Sequence, residues 1–247
     1  MAPKPAWYTL EGRGILGDFV NLLHPPYTLW HLSYVTMGIA IAPSIFIERS
    51  VAVLVAFFLG LGVGAHALDE TMGNPLQTRL SKKQLYLIGI LAICAAIGIG
   101  LYYVITVSAL LLPFIFVEAF FAFAYNLEIF NKRFHTTLVF ALSWGSIPFL
   151  TAYFVNALSI SVPVVVVALV VGLLTVVQRT LSTQARFVRR RLMLPVESLR
   201  LSSGADVPVS TQDLILPAER ALKVLTFTVF LLAIALLLMR FVSFPIF

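Results

Sequence analysis

Seven apolar stretches dominate this chain, at residues 26–47, 50–68, 84–104, 106–127, 136–155, 160–178 and 220–243. Each approaches the ~20 residues a helix needs to cross a hydrocarbon core. The second and sixth are on the short side. Inside a bilayer the backbone must satisfy its own hydrogen bonds, which leaves helices or a closed barrel, and runs this long select helices. Only 11% of the residues are charged, against about 25% in soluble domains. The mean hydropathy of +0.98 points the same way. The expected fold is all-α: a polytopic membrane helical bundle of about seven transmembrane helices, forming a single integral membrane domain over 1–247.

The basic residues orient the bundle. With seven crossings, all Lys and Arg except Arg49 and Arg240 fall on one side. The positive-inside rule makes that side cytoplasmic. The N-terminus is then cytoplasmic and the C-terminus outside, in a multi-pass protein of the cell membrane. Topology thus accounts for the net charge of +6, and nucleic acid is not an expected partner. Residues 1–25 lack a basic segment followed by an apolar core, so no cleavable signal is expected. Their Trp7, Ile15, Leu16, Phe19, Val20, Leu22 and Leu23 instead suggest an interfacial segment. A long basic cytoplasmic loop is expected over 179–219. Its Leu181, Val188, Leu192 and Arg run suggest an amphipathic helix on anionic lipid, ended by Pro195. Ser202 to Asp206 reads as a turn, and Pro217 is placed to start the last helix.

The polar side chains left in this apolar chain are the candidates for chemistry. His66, Asp69 and Glu70 end the second stretch at i, i+3 and i+4, so a helix places them on one face. Ionisable groups in a membrane helix are costly and mark function by default. His31 lies about 9 Å into the first helix from the same side. Tyr125 and Asn126 end the fourth stretch, with Glu128 just beyond. His135 opens the fifth, and Gln178 and Arg179 end the sixth. All converge on the basic membrane face. Glu118, seven residues before Tyr125, is the one carboxylate deep in a span, and a buried Glu must be neutral, paired or metal-bound. Lone Cys94 forms no intramolecular disulfide.

The order of these features resembles the UbiA superfamily of membrane prenyltransferases. Ala65-His66-Ala67-Leu68-Asp69-Glu70-Thr71-Met72-Gly73 stands where that family carries an aspartate-rich motif. Asn74-Pro75-Leu76-Gln77-Thr78-Arg79-Leu80-Ser81 is similar to the family's following tail. Leu22-Leu23-His24-Pro25-Pro26-Tyr27 resembles its entry to the first helix, and Tyr125 to Phe134 its Tyr-x-x-x-Lys-Arg loop. The resemblance covers about 20–190. His66 and Gly73 stand at the places of the first and last family aspartates, and only Asp69 matches. The second aspartate motif is replaced by Gln178 to Arg191, without a carboxylate.

The resemblance implies transfer of an isoprenoid group from a prenyl diphosphate to a lipid or aromatic acceptor. His66, Asp69 and Glu70 are the expected catalytic residues and the expected ligands of a divalent metal, Mg or Mn, at one site at most. His31, Arg79, Glu118, Tyr125, Asn126, Gln178, Arg179 and Arg186 are expected to bind substrate, the arginines gripping phosphate in place of a second metal. Tyr125, Tyr153 or Trp144 would face an allylic cation. The alternative is a non-catalytic protein that binds an isoprenoid, quinone or other membrane lipid, or serves as a subunit of a membrane complex. Haem held by His31 and His66 is a third possibility. A transporter is disfavoured because Glu118 alone lies mid-membrane.

Overall fold

The computed structural model describes residues 6–10, 12, 14–74, 76–191, 199–200 and 202–242. Among them the chain is an all-α membrane bundle. Its helices are α1 (Gly14–Leu22), α2 (Pro25–Ile41), α3 (Ile47–Glu70), α4 (Lys82–Thr106), α5 (Ala109–Asn126), α6 (Thr137–Ala157), α7 (Val162–Arg191) and α8 (Thr211–Phe241). The strands β1 (Leu199–Arg200) and β2 (Asp206–Val207) pair as a small antiparallel hairpin. Gly204 supplies the positive φ its turn needs.

Among the described residues six helices, α3 to α8, are long and apolar enough to cross a membrane. The first expected span is shorter than its apolar run. α2 has 17 residues and stops at Ile41 because Ala42 precedes Pro43, where the α conformation is disfavoured; Ala42 is extended. The amphipathic helix expected in the basic loop is not separate from the sixth span: α7 continues to Arg191 as one helix, since no Gly or Pro interrupts 178–191. α8 does not begin at Pro217. Ser210 and Asp213 form a capping box that starts it at Thr211, and Pro217 lies inside the helix. The stop expected at Pro195 lies outside the described residues.

Between helices in lipid there is little hydrophobic drive, so close packing and polar contacts hold the bundle. α2 is its centre. Trp30 and Tyr34 are almost fully buried against Phe149 of α6 and Leu222 and Val229 of α8. A Cβ on Gly38 would collide with the Phe149 carbonyl, so that glycine lets α2 and α6 touch. α4 and α5 form the periphery and expose Leu87, Leu91, Leu110 and Phe116.

The two basic residues set apart by topology lie at one end. Arg49 donates to the Val155 carbonyl at 3.3 Å and Arg240 to the Pro43 carbonyl at 2.9 Å. α3 runs from that end to the opposite one, where Glu70 closes it.

Two helices carry π-helical turns, Phe58–Ala65 in α3 and Leu142–Ser146 in α6. Such turns shift backbone hydrogen bonds from i−4 to i−5 and recur at functional sites. Both fall beside candidate side chains.

Candidate functional site

A cavity of about 320 Å³ lies at the end of the bundle where α3 finishes. α2 contributes Tyr27 and His31 to its wall, α3 His66 and Asp69, α5 Tyr125 and Asn126, α6 Phe140 and Trp144, and α7 Gln178, Arg179 and Arg186. Residues Ala6 to Thr9 also line it. They are tied down by Asn21, whose side chain exchanges two hydrogen bonds with the backbone of Leu10, at 2.8 and 3.1 Å.

The π turns position the two buried histidines. His66 donates from Nδ1 to the Gly62 carbonyl at 3.1 Å, within the first π turn. His31 donates from Nδ1 to the carbonyl of Trp144, within the second. That carbonyl has no ordinary helical partner, because Pro148 four residues on lacks an N–H. A carbonyl only accepts, so both rings carry the hydrogen on Nδ1, and in the neutral ring Nε2 is the acceptor. The His66 ring lies tilted against that of His24 with centres 4.5 Å apart and lies 5.2 Å from Trp144, which in turn lies 4.6 Å from His31. His24 itself sits in a left-handed conformation before Pro25 and shares a hydrogen bond of 2.7 Å with the Tyr8 hydroxyl.

The opposite wall is cationic and aromatic. Arg179 donates to the Tyr125 hydroxyl and to the Thr136 carbonyl at 3.0 Å. Its guanidinium lies 5.4 Å from the Tyr125 ring centre and 5.0 Å from that of Phe140. His135 stacks on Tyr125 with centres 4.4 Å apart. Arg189 is committed to a buried ion pair with Glu219, which ties α7 to α8. Arg186 is exposed at the mouth and bonds Thr183 at 3.3 Å. An Arg fork retains further donors when one is engaged.

Buried polar atoms normally find partners. Among the described residues, five buried side-chain atoms have none. Three of them belong to residues on the wall of this cavity: Trp7 Nε1, Thr9 Oγ1 and Gln178 Oε1. The other two are the carboxyl oxygens of Glu118.

The cavity therefore gathers His31, His66, Asp69, Tyr125, Asn126, Gln178, Arg179 and Arg186. Three other candidates stand apart from it. Glu70 is next to Asp69, and adjacent helical residues do not face the same way. Its carboxylate is buried and accepts the N–H of Leu76 at 3.1 Å, the N–H of Thr78 at 3.5 Å and the Thr78 hydroxyl at 3.3 Å. It fastens the loop after α3. The backbone N–H of Arg79 donates to Asp18 at 3.1 Å, and its exposed guanidinium lies 3.9 Å from that carboxylate. Glu118 lines a separate cavity. Tyr153 packs in the core with Trp30 and does not reach the site. Sequence reasoning missed Tyr8, Arg189 and Glu219. The only signal for the ion pair was a carboxylate at the head of an apolar helix following an Arg run.

Of the ligands the resemblance implies for a metal, His66 and Asp69 share the cavity and Glu70 does not. Among the described residues no three His, Cys, Asp or Glu side chains are grouped to hold an ion, and Glu70 spends both oxygens on the loop.

Fold and cavity together define a multi-pass, all-α membrane protein with an aromatic, histidine- and arginine-lined cavity at one end. Compared with known proteins, the chain matches no family model, no curated protein sequence and no solved structure.

Proposed function

We propose that this is a UbiA-like membrane transferase that moves an isoprenoid group from a prenyl diphosphate to a lipid or aromatic acceptor. The observation that carries the reading is one cavity with cationic donors on one wall, aromatic faces between, and two imidazole Nε2 acceptors opposite. Arg179 and Arg186 grip the diphosphate, since guanidinium matches phosphate oxygens bidentately. The carbon–oxygen bond breaks with its electron pair leaving on the diphosphate, and the arginines stabilise that charge. The Trp144 and Phe140 faces stabilise the allylic cation. The acceptor hydroxyl attacks it, and its proton passes to Nε2 of His66. Asp69 orients the acceptor.

In this reading α2 also crosses the bilayer, making seven spans. Its 17 residues extend about 26 Å. It joins the two ends that α3 joins, with His24 beside His66 and Pro43 beside Arg240. The cavity then opens to the cytoplasm, with the N-terminus inside and the C-terminus outside.

A second reading, binding without transfer, is favoured by the diversion of Glu70 into the loop. One assay separates the two. Purified protein in lipid nanodiscs is incubated with radiolabelled prenyl diphosphate and an acceptor lipid extract, with and without Mg²⁺. Transfer that falls about 100-fold or more in His66→Ala, from the lower end of the range for general-base loss upwards, is the expected result. Saturable binding with no transfer establishes the second reading. Transfer unchanged in Asp69→Ala removes Asp69 from the mechanism.

A further inference from the structure

A second cavity, of about 110 Å³, lies between α3, α4 and α5, with Thr151 and Val155 of α6 completing its wall. On α3 it runs from Arg49 to Leu61, roughly 15–18 Å by helical rise. It is a slot that follows the helices. Small residues open it: Gly60 and Ala56 on α3, Ala96 and Gly100 on α4, Ala119 and Ala122 on α5. A Cβ on Gly60 would already stand 3.5 Å from that of Ala96.

Most of the wall is apolar: Arg49 lines it, Tyr103 and Thr151 spend their hydroxyls on Glu48 and the Ile147 carbonyl, and Glu118 is the remaining polar side chain. Both carboxyl oxygens of Glu118 are buried and have no hydrogen-bond partner among the described residues. Arg49 does not neutralise Glu118. It donates to the Val155 carbonyl and lies over the Phe46 ring at 4.0 Å. A leucine at 118 would suit every neighbour better. Unpaired polar atoms in such a place call for a partner that the chain does not supply.

We propose that this slot binds a single-chain apolar molecule from the bilayer carrying one hydroxyl group, such as a long-chain or isoprenoid alcohol, with the hydroxyl on Glu118. A hydroxyl both donates and accepts, so it satisfies a carboxyl group in either protonation state. A plain hydrocarbon leaves both oxygens unpaired. A charged headgroup brings an ion into an apolar slot. A volume of about 110 Å³ favours one chain over the two of a phospholipid. The site shares α3, α5 and α6 with the first cavity but does not rest on the transferase reading.

The test uses the full chain in phospholipid nanodiscs and two photoreactive probes, hexadecanol and hexadecane, each with a diazirine on the chain. Labelled residues are located by mass spectrometry. The alcohol is expected to label α3 and α4 along the slot saturably, and unlabelled hexadecanol should compete. Glu118→Leu should cut that labelling about tenfold, as loss of one hydrogen bond implies. Glu118→Gln, which keeps hydrogen-bonding groups, should restore it. Ala119→Leu, which keeps the carboxyl group but fills the slot, should abolish it. Equal labelling by the two probes, labelling that does not saturate, or full labelling in a folded Glu118→Leu protein overturns the proposal.

Discussion

The two cavities solve the same problem in opposite ways. Both hold buried polar atoms that the chain leaves without partners, and between them they account for all five such atoms among the described residues. The end cavity surrounds its orphans with charge and hydrogen-bonding capacity. Arg179 is braced by Tyr125 and Thr136, and two histidines are fixed by carbonyls. The side slot isolates one carboxyl group in hydrocarbon. The first suits a ligand with dispersed negative charge, and the second a ligand with a single neutral polar group. A polar residue in a membrane helix thus gains its meaning from what the neighbouring helices bring to it.

Three carboxylates in three settings can break or sharpen this contrast. The largest effect is expected at Glu219, buried and paired with Arg189 beside the end cavity. Glu219→Ala leaves a buried guanidinium unpaired and should destabilise the protein by about 3–5 kcal/mol, read as a large fall in thermal midpoint in nanodiscs. Glu118→Leu should act in the other direction. Replacing an unpartnered buried carboxyl group with an apolar side chain of similar size should stabilise the empty protein by about 1–3 kcal/mol. A fall in midpoint there would mean that Glu118 has a partner within the bundle, and the contrast would fail. Asp18→Ala removes an ion pair whose Arg79 partner is 66% exposed, and it should cost under about 1 kcal/mol.

Much of the architecture was legible because membrane helices announce themselves by hydropathy. The apolar runs located α3 to α8, and the isolation of Arg49 and Arg240 foretold two residues that lie at the same end. Helix limits were less legible. The end of α2 depends on Pro43, and the start of α8 on the Ser210 capping box, which outweighed the Pro217 signal. Spacing brought His66 and Asp69 into one cavity but misplaced Glu70. A single residue of rotation turns its carboxylate towards Leu76 and Thr78. The π turns had no visible sequence signature, although Pro148 did mark the carbonyl that holds His31. The contact of His24 with His66 joins residues 42 positions apart and follows from how α2 packs on α3.

Binding of a prenyl diphosphate to the purified protein tests the central claim most directly. Radiolabelled ligand is titrated against the full chain in nanodiscs, with inorganic pyrophosphate as competitor, for the wild type, Arg179→Ala and Arg186→Ala. Saturable, pyrophosphate-sensitive binding that weakens at least about thirtyfold in Arg179→Ala, the loss typical of a truncated charge-assisted contact, is the predicted result. Arg186→Ala should weaken it less, because that side chain sits exposed at the mouth. No saturable binding by the wild type, or equal affinity in all three proteins, would contradict the assignment of the end cavity to a diphosphate.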